Sequence, residues 1–176
     1  MALALTGLGG GLPGGPELLQ PLVEELRGEF PAPFWPAVWL TGGTVRDALL
    51  AREGNDLDLA AAVPESLLAE RGFRPVQGRS TAPIWFRYTP RRGKVEITLL
   101  AGGGGIGADL RRRDFTMNAI ALSLAGEVAD PLNGRRDLDR GELVPCSERS
   151  FRDDPLRLFR AFRFAAEGFR LSRGVR

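Results

Sequence analysis

Histidine is absent from this 176-residue chain. With no imidazole, histidine-based general acid–base catalysis, Ser-His-Asp triads and ordinary zinc sites are excluded together. There is one cysteine, Cys146, so an internal disulfide is impossible and a reducing cytoplasm is the expected setting. No run of eighteen apolar residues occurs, so neither a transmembrane helix nor a membrane partner is expected. The N-terminal "MALALTGLGGGLPGGP" is apolar but lacks the leading Lys or Arg of a signal peptide, and residues 1–15 read as a flexible glycine-rich lead-in. A net charge of +2 says little about nucleic acid. What remains for chemistry is carboxylates, arginines, backbone amides and hard metal ions.

The chain has the means for a core: 43% of its residues are hydrophobic and 26% charged, the balance of a globular domain. Almost every base is arginine, clustered at 111–113, 135–136 and along 152–163. Arginine is the better residue for bidentate phosphate contacts, although solvated faces account for such clusters equally well.

Apolar spacing predicts a helix over 16–29, a short buried strand over 37–40, and a helix over 44–52 directly after the glycine pair. "DLDLAAAV" (56–63) alternates like a strand, and 64–72 is a helix with Pro at its start and Gly at its end. "FRPVQ", "PIWFRYT" and "KVEITLL" read as strands, and "AGGGGIG" (101–107) as a flexible loop. "RRRDFTMNAIALSL" runs from a loop or short helix into a strand, which "GEVAD" pairs across the Ala125-Gly126 turn. Residues 130–144 read as a turn-rich connector, and 153–168 as an amphipathic helix with Asp153 or Asp154 as N-cap and Gly168 as stop. The order implies an α/β (α+β) fold, helices around a mixed, largely antiparallel sheet. One domain spans 16–145, and a helical continuation spans 146–176.

Two features carry chemistry. In a strand, Asp56 and Asp58 project to the same face. Paired carboxylates are unfavourable unless a cation lies between them, and oxygen ligands suit Mg²⁺. Glu96, on a neighbouring strand, is a third candidate. An isolated D-x-D reads more readily as an exposed strand edge, but the glycines upstream argue for more. Gly42 and Gly43 let backbone approach an anion at a helix start, and Arg46 on the first turn reaches the same place. A glycine turn for phosphates and a carboxylate pair for metal are the two halves of a nucleoside-triphosphate site. Separately, positions 154, 157, 160 and 163 share one helix face, where an Asp acceptor and an Arg fork can pair with a base edge. A solvated, salt-bridged face is the plain alternative.

In sequence order, "GGTVRD" (42–47) with "DLD" (56–58), "RRRDFTMNAIAL" (111–122), "DPLNGRRDL" (130–138) and "FRDDPLRLFRAFRFAA" (151–166) resemble four motifs of one family. It is the class II tRNA nucleotidyltransferase and bacterial poly(A) polymerase family, within the DNA polymerase β-like superfamily. The resemblance implies a nucleotidyltransferase head followed by the start of a helical neck. It implies that Asp56 and Asp58 hold two Mg²⁺ ions, and that Gly43 and Arg46 contact the triphosphate. Arg112 and Asp114 would contact the nucleotide, Asp114 near the ribose. Asp154 and Arg157 would read the base edge, with Arg160 and Arg163 lining the same pocket.

The chain departs from the pattern twice. The segment before "RRRDF" is short and glycine-rich where the family has a longer charged loop, which resembles enzymes that add only CC. The neck, body and tail helices that grip tRNA are missing, so a head-domain fragment and a very short member are both open. The expected activity is template-independent addition of CMP, and in the fuller reading AMP, to a tRNA 3′ end, with CTP and ATP as substrates. Poly(A) polymerase and a non-catalytic nucleotide-binding module are the alternatives; both Asp56 and Asp58 are present, which argues against the module.

Overall fold

The computed structural model describes residues 15–52, 54, 56–76, 82–100 and 104–172. The expected lead-in over 1–15 lies, apart from Gly15, outside the described residues.

A 3-10 turn over Pro16–Leu19 leads into α1 (Gln20–Glu29). There follow β1 (Val38–Leu40), α2 (Gly42–Leu49), β2 (Leu57–Ala61), α3 (Glu65–Glu70), β3 (Arg74–Pro75), β4 (Ile84–Thr89) and β5 (Gly93–Leu99). The second half comprises α4 (Gly105–Arg111), β6 (Ala121–Ser123), β7 (Val128–Ala129), α5 (Gly134–Asp139), β8 (Glu142–Leu143), α6 (Ser150–Asp153), α7 (Arg157–Ala166) and β9 (Arg170–Leu171). Seven strands form one sheet in the order β3-β4-β5-β2-β1-β6-β7, and β8 and β9 form a separate pair. In the large sheet β2 and β5 run parallel and the other described pairings are antiparallel. The sheet is therefore mixed and largely antiparallel, as the sequence implies, and β7 pairs β6 across the predicted turn.

Strand alternation divides the sheet's two faces. On one face Leu40, Leu59, Ile97, Trp85 and Leu122 share a core with Val23 and Leu26 of α1, Val45 and Leu49 of α2, and Leu68 of α3. On the other, Trp39, Ala119 and Ala121 pack with Leu110 and Ile106 of α4. That second cluster covers only the β1–β6 end.

Three expectations are corrected. The predicted loop over 101–107 is helical from Gly105, residues 101–103 lying outside the described residues. Gly107 inside the helix costs about 1 kcal/mol relative to alanine, whereas Gly105, at φ +57°, occupies a conformation that favours glycine. Burial of Leu110, fully enclosed, with Ile106 packed beside it, outweighs that at about 1.5–3 kcal/mol for one large apolar side chain. The connector over 130–144 contains α5, because the Asp130 carboxylate caps it: Oδ1 accepts from the Gly134 amide at 2.6 Å and Oδ2 from the Arg135 amide at 3.1 Å. Leu138 then buries its inward face.

The third correction concerns the helix over 153–168. It is broken into α6 and α7, with Asp154 extended between them at φ −149° and ψ 97°. The break follows from Pro155, which has no amide to continue the ladder and disfavours the helical region for the residue before it. Asp154 still caps locally, its Oδ1 accepting from the Leu156 amide at 3.0 Å. Gly168, at φ +101°, ends the segment as expected.

Candidate active site

The site is built where β1 gives way to α2. Gly42, at φ +59°, makes the turn, and the first helical residues follow at once. The Gly43 amide donates to Asp58 Oδ2 at 3.1 Å, and the Asp58 amide donates to Thr44 Oγ1 at 2.8 Å. The glycine turn and the second aspartate thus hold each other. A Cβ on Gly42 would sit 2.9 Å from Asp58 Oδ2 and 2.8 Å from Arg113 Nη1, so only glycine fits there with this packing.

Asp58 is half-buried and faces Glu96 across the β2–β5 register. Burial pushes its carboxyl up from the ordinary aspartate range; the Gly43 amide and Arg113 oppose the shift, and Glu96 adds to it. Glu96 is paired with Lys94, whose ammonium is raised chiefly by its hydrogen bond to that carboxylate.

A cleft of about 340 Å³ opens over these groups. Gly42, Gly43, Asp58, Glu96, Arg112 and Asp114 line it, and Asp154, Arg157 and Arg160 close its far side. Nine of the twelve residues singled out in the sequence therefore surround one space. Three do not line it. Asp56 precedes β2 rather than beginning it, is exposed, and lines a second cavity of about 600 Å³ beside Thr44 and Asp47. Arg46 is turned inward: its Nε and Nη2 grip the Asp47 carboxylate at 2.8 and 2.9 Å, and its Nη1 donates to Asn118 Oδ1 at 2.7 Å. Arg163 lies over the Phe164 ring at 4.7 Å.

A polar chain ties the motifs together. Asn118, which receives Arg46, donates through Nδ2 to Asp114 Oδ1 at 3.0 Å. Asp114 is buried at 4% exposure, and its Oδ2 lies 2.9 Å from Arg160 Nε but off the direction of a hydrogen bond, so that oxygen has no hydrogen-bond partner. Arg157 donates to Ser150 O and Oγ at 3.1 and 2.9 Å and to the Arg112 carbonyl at 2.7 Å, fixing α7 to the "RRRDF" segment.

Sequence reasoning missed Arg113 and Asp109. Arg113 Nε and Nη2 donate to Asp109 Oδ2 at 3.1 and 2.9 Å, and Nη2 also donates to Thr41 Oγ1 at 2.9 Å. It is the arginine of the triple run that reaches the Asp58–Gly42 corner. Asp109 also accepts from Arg112 Nη2 at 3.3 Å. The available signal is the i,i+4 spacing of Asp109 and Arg113, which the glycine-rich tract before them conceals.

This geometry agrees with what comparison with known proteins finds. Residues 86–144 match the family model described as the poly A polymerase head domain. The CC-adding tRNA nucleotidyltransferase of Geobacter sulfurreducens is 38% identical over 144 residues, which is 73% of this chain and 31% of that protein. The A-adding tRNA nucleotidyltransferase of Deinococcus radiodurans is 39% identical over 137 residues, 75% of this chain and 31% of that one. Among solved structures, a CCA-adding enzyme with CTP superposes with a TM-score of 0.70 at 29% identity, covering 90% of this chain and 40% of that one. The Thermotoga maritima CCA-adding enzyme complexed with tRNA superposes with a TM-score of 0.69 at 28% identity, covering 96% and 41%. The chain spans about a third of the length of these curated relatives. By its motifs, its sheet and these likenesses, the chain belongs to the tRNA nucleotidyltransferase and poly(A) polymerase family and carries that family's head domain.

Proposed function

We propose that the chain is the catalytic head of a template-independent nucleotidyltransferase that adds CMP to the 3′ end of tRNA in the cytoplasm. The observation that carries this is the Asp58 carboxylate, pinned by the Gly43 amide and set opposite Glu96 in an arginine-walled cleft. In the reaction, a 3′-hydroxyl oxygen bonds to the α-phosphorus of CTP and the bond to the β-phosphate oxygen breaks. Pyrophosphate leaves, and the hydroxyl proton passes to a carboxylate of the cluster. The family's description and the CTP- and tRNA-bound relatives support this reading.

The donor set fits Mg²⁺. Asp58 and Glu96 are oxygen ligands facing one space, and burial that raises the Asp58 carboxyl is relieved by a cation beside it. Asp58 and Asp56 would hold the ions. The metal would supply charge for the attacking and leaving oxygens. The protein supplies the rest. Gly42 and Gly43 let the backbone approach phosphate, Arg113 and Arg112 neutralise it, and Asp114 Oδ2, ion-paired with Arg160 but without a hydrogen bond, accepts from a ribose hydroxyl. Asp154 and Arg157 select the base, Arg160 lines the pocket beside them while Arg163 stays on the Phe164 ring, and Arg46 braces the turn from behind through Asn118.

Incorporation of labelled CMP into a tRNA that ends just before CCA, with Mg²⁺, tests the proposal; no incorporation from any nucleoside triphosphate removes it. Adding CTP and ATP together decides the extent. The short glycine tract before α4 offers no bulky side chain to reshape the pocket, so the product is expected to grow by CC and stop. The poly A polymerase description of the matched model favours a second reading, which ATP-only extension of an RNA lacking CC would establish.

A further inference from the structure

The face of the sheet that carries Asp58 continues, uncovered by α4, toward its β4 edge. The register sets Asp58 opposite Glu96, Glu96 opposite Phe86, and Phe86 opposite Arg74 on the edge strand. In a neighbouring row Tyr88 stands opposite Lys94. Alternation along β4 sends Trp85 into the core and leaves Phe86 and Tyr88 on the side of Glu96 and Lys94. The two rings meet edge to face, with centroids 5.9 Å apart and planes at 80°. Tyr88 is 72% exposed. Core packing accounts for Trp85 but not for an exposed tyrosine packed against a half-buried phenylalanine one strand from Glu96.

The reaction assigns a direction to this surface. In phosphoryl-type transfer the attacking and leaving oxygens lie roughly in line across the phosphorus. The triphosphate corner of Gly42, Gly43 and Arg113 lies on the β1 side of Asp58. The attacking hydroxyl must then approach from the β5–β4 side, over Glu96. A single-stranded end arriving there needs a surface that stacks bases without reading them and a positive charge for its backbone. We propose that Phe86 and Tyr88 form a stacking platform for the single-stranded 3′ end of the RNA acceptor, with Arg74 and Lys94 beside it for the phosphates. This rests on the nucleotidyl-transfer reading above and adds to it where the acceptor sits.

The test is equilibrium binding of the chain to a fluorescein-labelled single-stranded RNA ending in cytidine, followed by anisotropy. Phe86→Ala and Tyr88→Ala should each weaken binding about tenfold, the scale of one lost base–aromatic stack. Tyr88→Trp should restore it. The same RNA with an abasic 3′ residue should bind the wild type no better than it binds Tyr88→Ala, a readout that a merely structural role for the ring would not move. Tyr88 is exposed and Phe86 half-buried, so Tyr88→Ala should keep its melting temperature within about 2 °C of wild type and Phe86→Ala should lower it by only a few degrees. RNA binding that is absent, or indifferent to both rings, overturns the platform. CMP incorporation that is indifferent to both rings overturns the platform and leaves the transfer reading standing. Ring-dependent RNA binding without incorporation of any nucleotide supports the platform and removes the transfer reading.

Discussion

Replacing Gly42 with alanine separates the cost of backbone strain from the cost of a damaged site. Gly42 has φ +59°, where an L-residue pays about 1–2 kcal/mol. For a chain of this size that lowers the melting temperature by about 2–8 °C. The added Cβ also meets Asp58 Oδ2 at 2.9 Å and Arg113 Nη1 at 2.8 Å. Both are side-chain ends that can swing away, so the fold survives, but the Gly43–Asp58 and Arg113–Thr41 hydrogen bonds are lost or misdirected. A hydrogen bond to a charged group is worth about 1.5–3 kcal/mol, so kcat/KM for CMP incorporation should fall about ten- to a hundredfold. Gly72→Ala is the control. It too has a positive φ, +78°, but nothing lies within 4 Å of the added Cβ. It should lose a similar few degrees and keep its kcat/KM. If Gly42→Ala and Gly72→Ala have equal activity, the glycine turn does not position Asp58 and Arg113 for the reaction.

Other perturbations probe separate parts of the account. Asp109→Asn should raise the KM for CTP about tenfold by weakening its grip on Arg112 and Arg113, with Asp109→Glu partly restoring it, as steady-state kinetics would register. Gly134→Ala places a Cβ 1.9 Å from the Thr116 carbonyl oxygen, a backbone atom that cannot swing aside; thermal melting should show a loss of about 3 kcal/mol or more, or no folded protein. Burial pushes the Cys146 thiol up to about 12, so at pH 8 only about one molecule in ten thousand carries the thiolate. Iodoacetamide should therefore label the native chain far more slowly than the urea-unfolded one, and equal rates would contradict that burial.

The parts of the fold that sequence discloses are those set by local pattern. The alternation of β2 and β5, the turn at Gly126 and the stop at Gly168 are each written in adjacent residues. What the pattern conceals depends on distant partners. The glycine-rich start of α4 reads as loop because its stabiliser, the Trp39–Ala121 face, lies elsewhere in the chain. Similarly, α5 depends on Asp130 caps that resemble a turn signal. The site follows the same rule. Asp58, Glu96 and Arg157 could be chosen by residue type and spacing and Asp114 by the family resemblance, whereas Arg113 needed the three-dimensional reach from Asp109 to Thr41 to be told apart from its two neighbours. Arg46 illustrates the converse: a first-turn arginine after two glycines suggests an anion contact, yet its guanidinium is occupied by Asp47 and Asn118.

The central claim is that the Asp58 corner is the reaction centre. Its most direct test compares wild type and Asp58→Ala in CMP incorporation into a tRNA ending before CCA, with Mg²⁺, alongside the melting temperature and the anisotropy of the acceptor RNA. The account predicts that Asp58→Ala keeps its fold and its RNA affinity but loses incorporation by a factor of at least about a thousand, the scale on which charge-stabilising groups act in transfer reactions. Extension by Asp58→Ala at a rate near that of the wild type would contradict it.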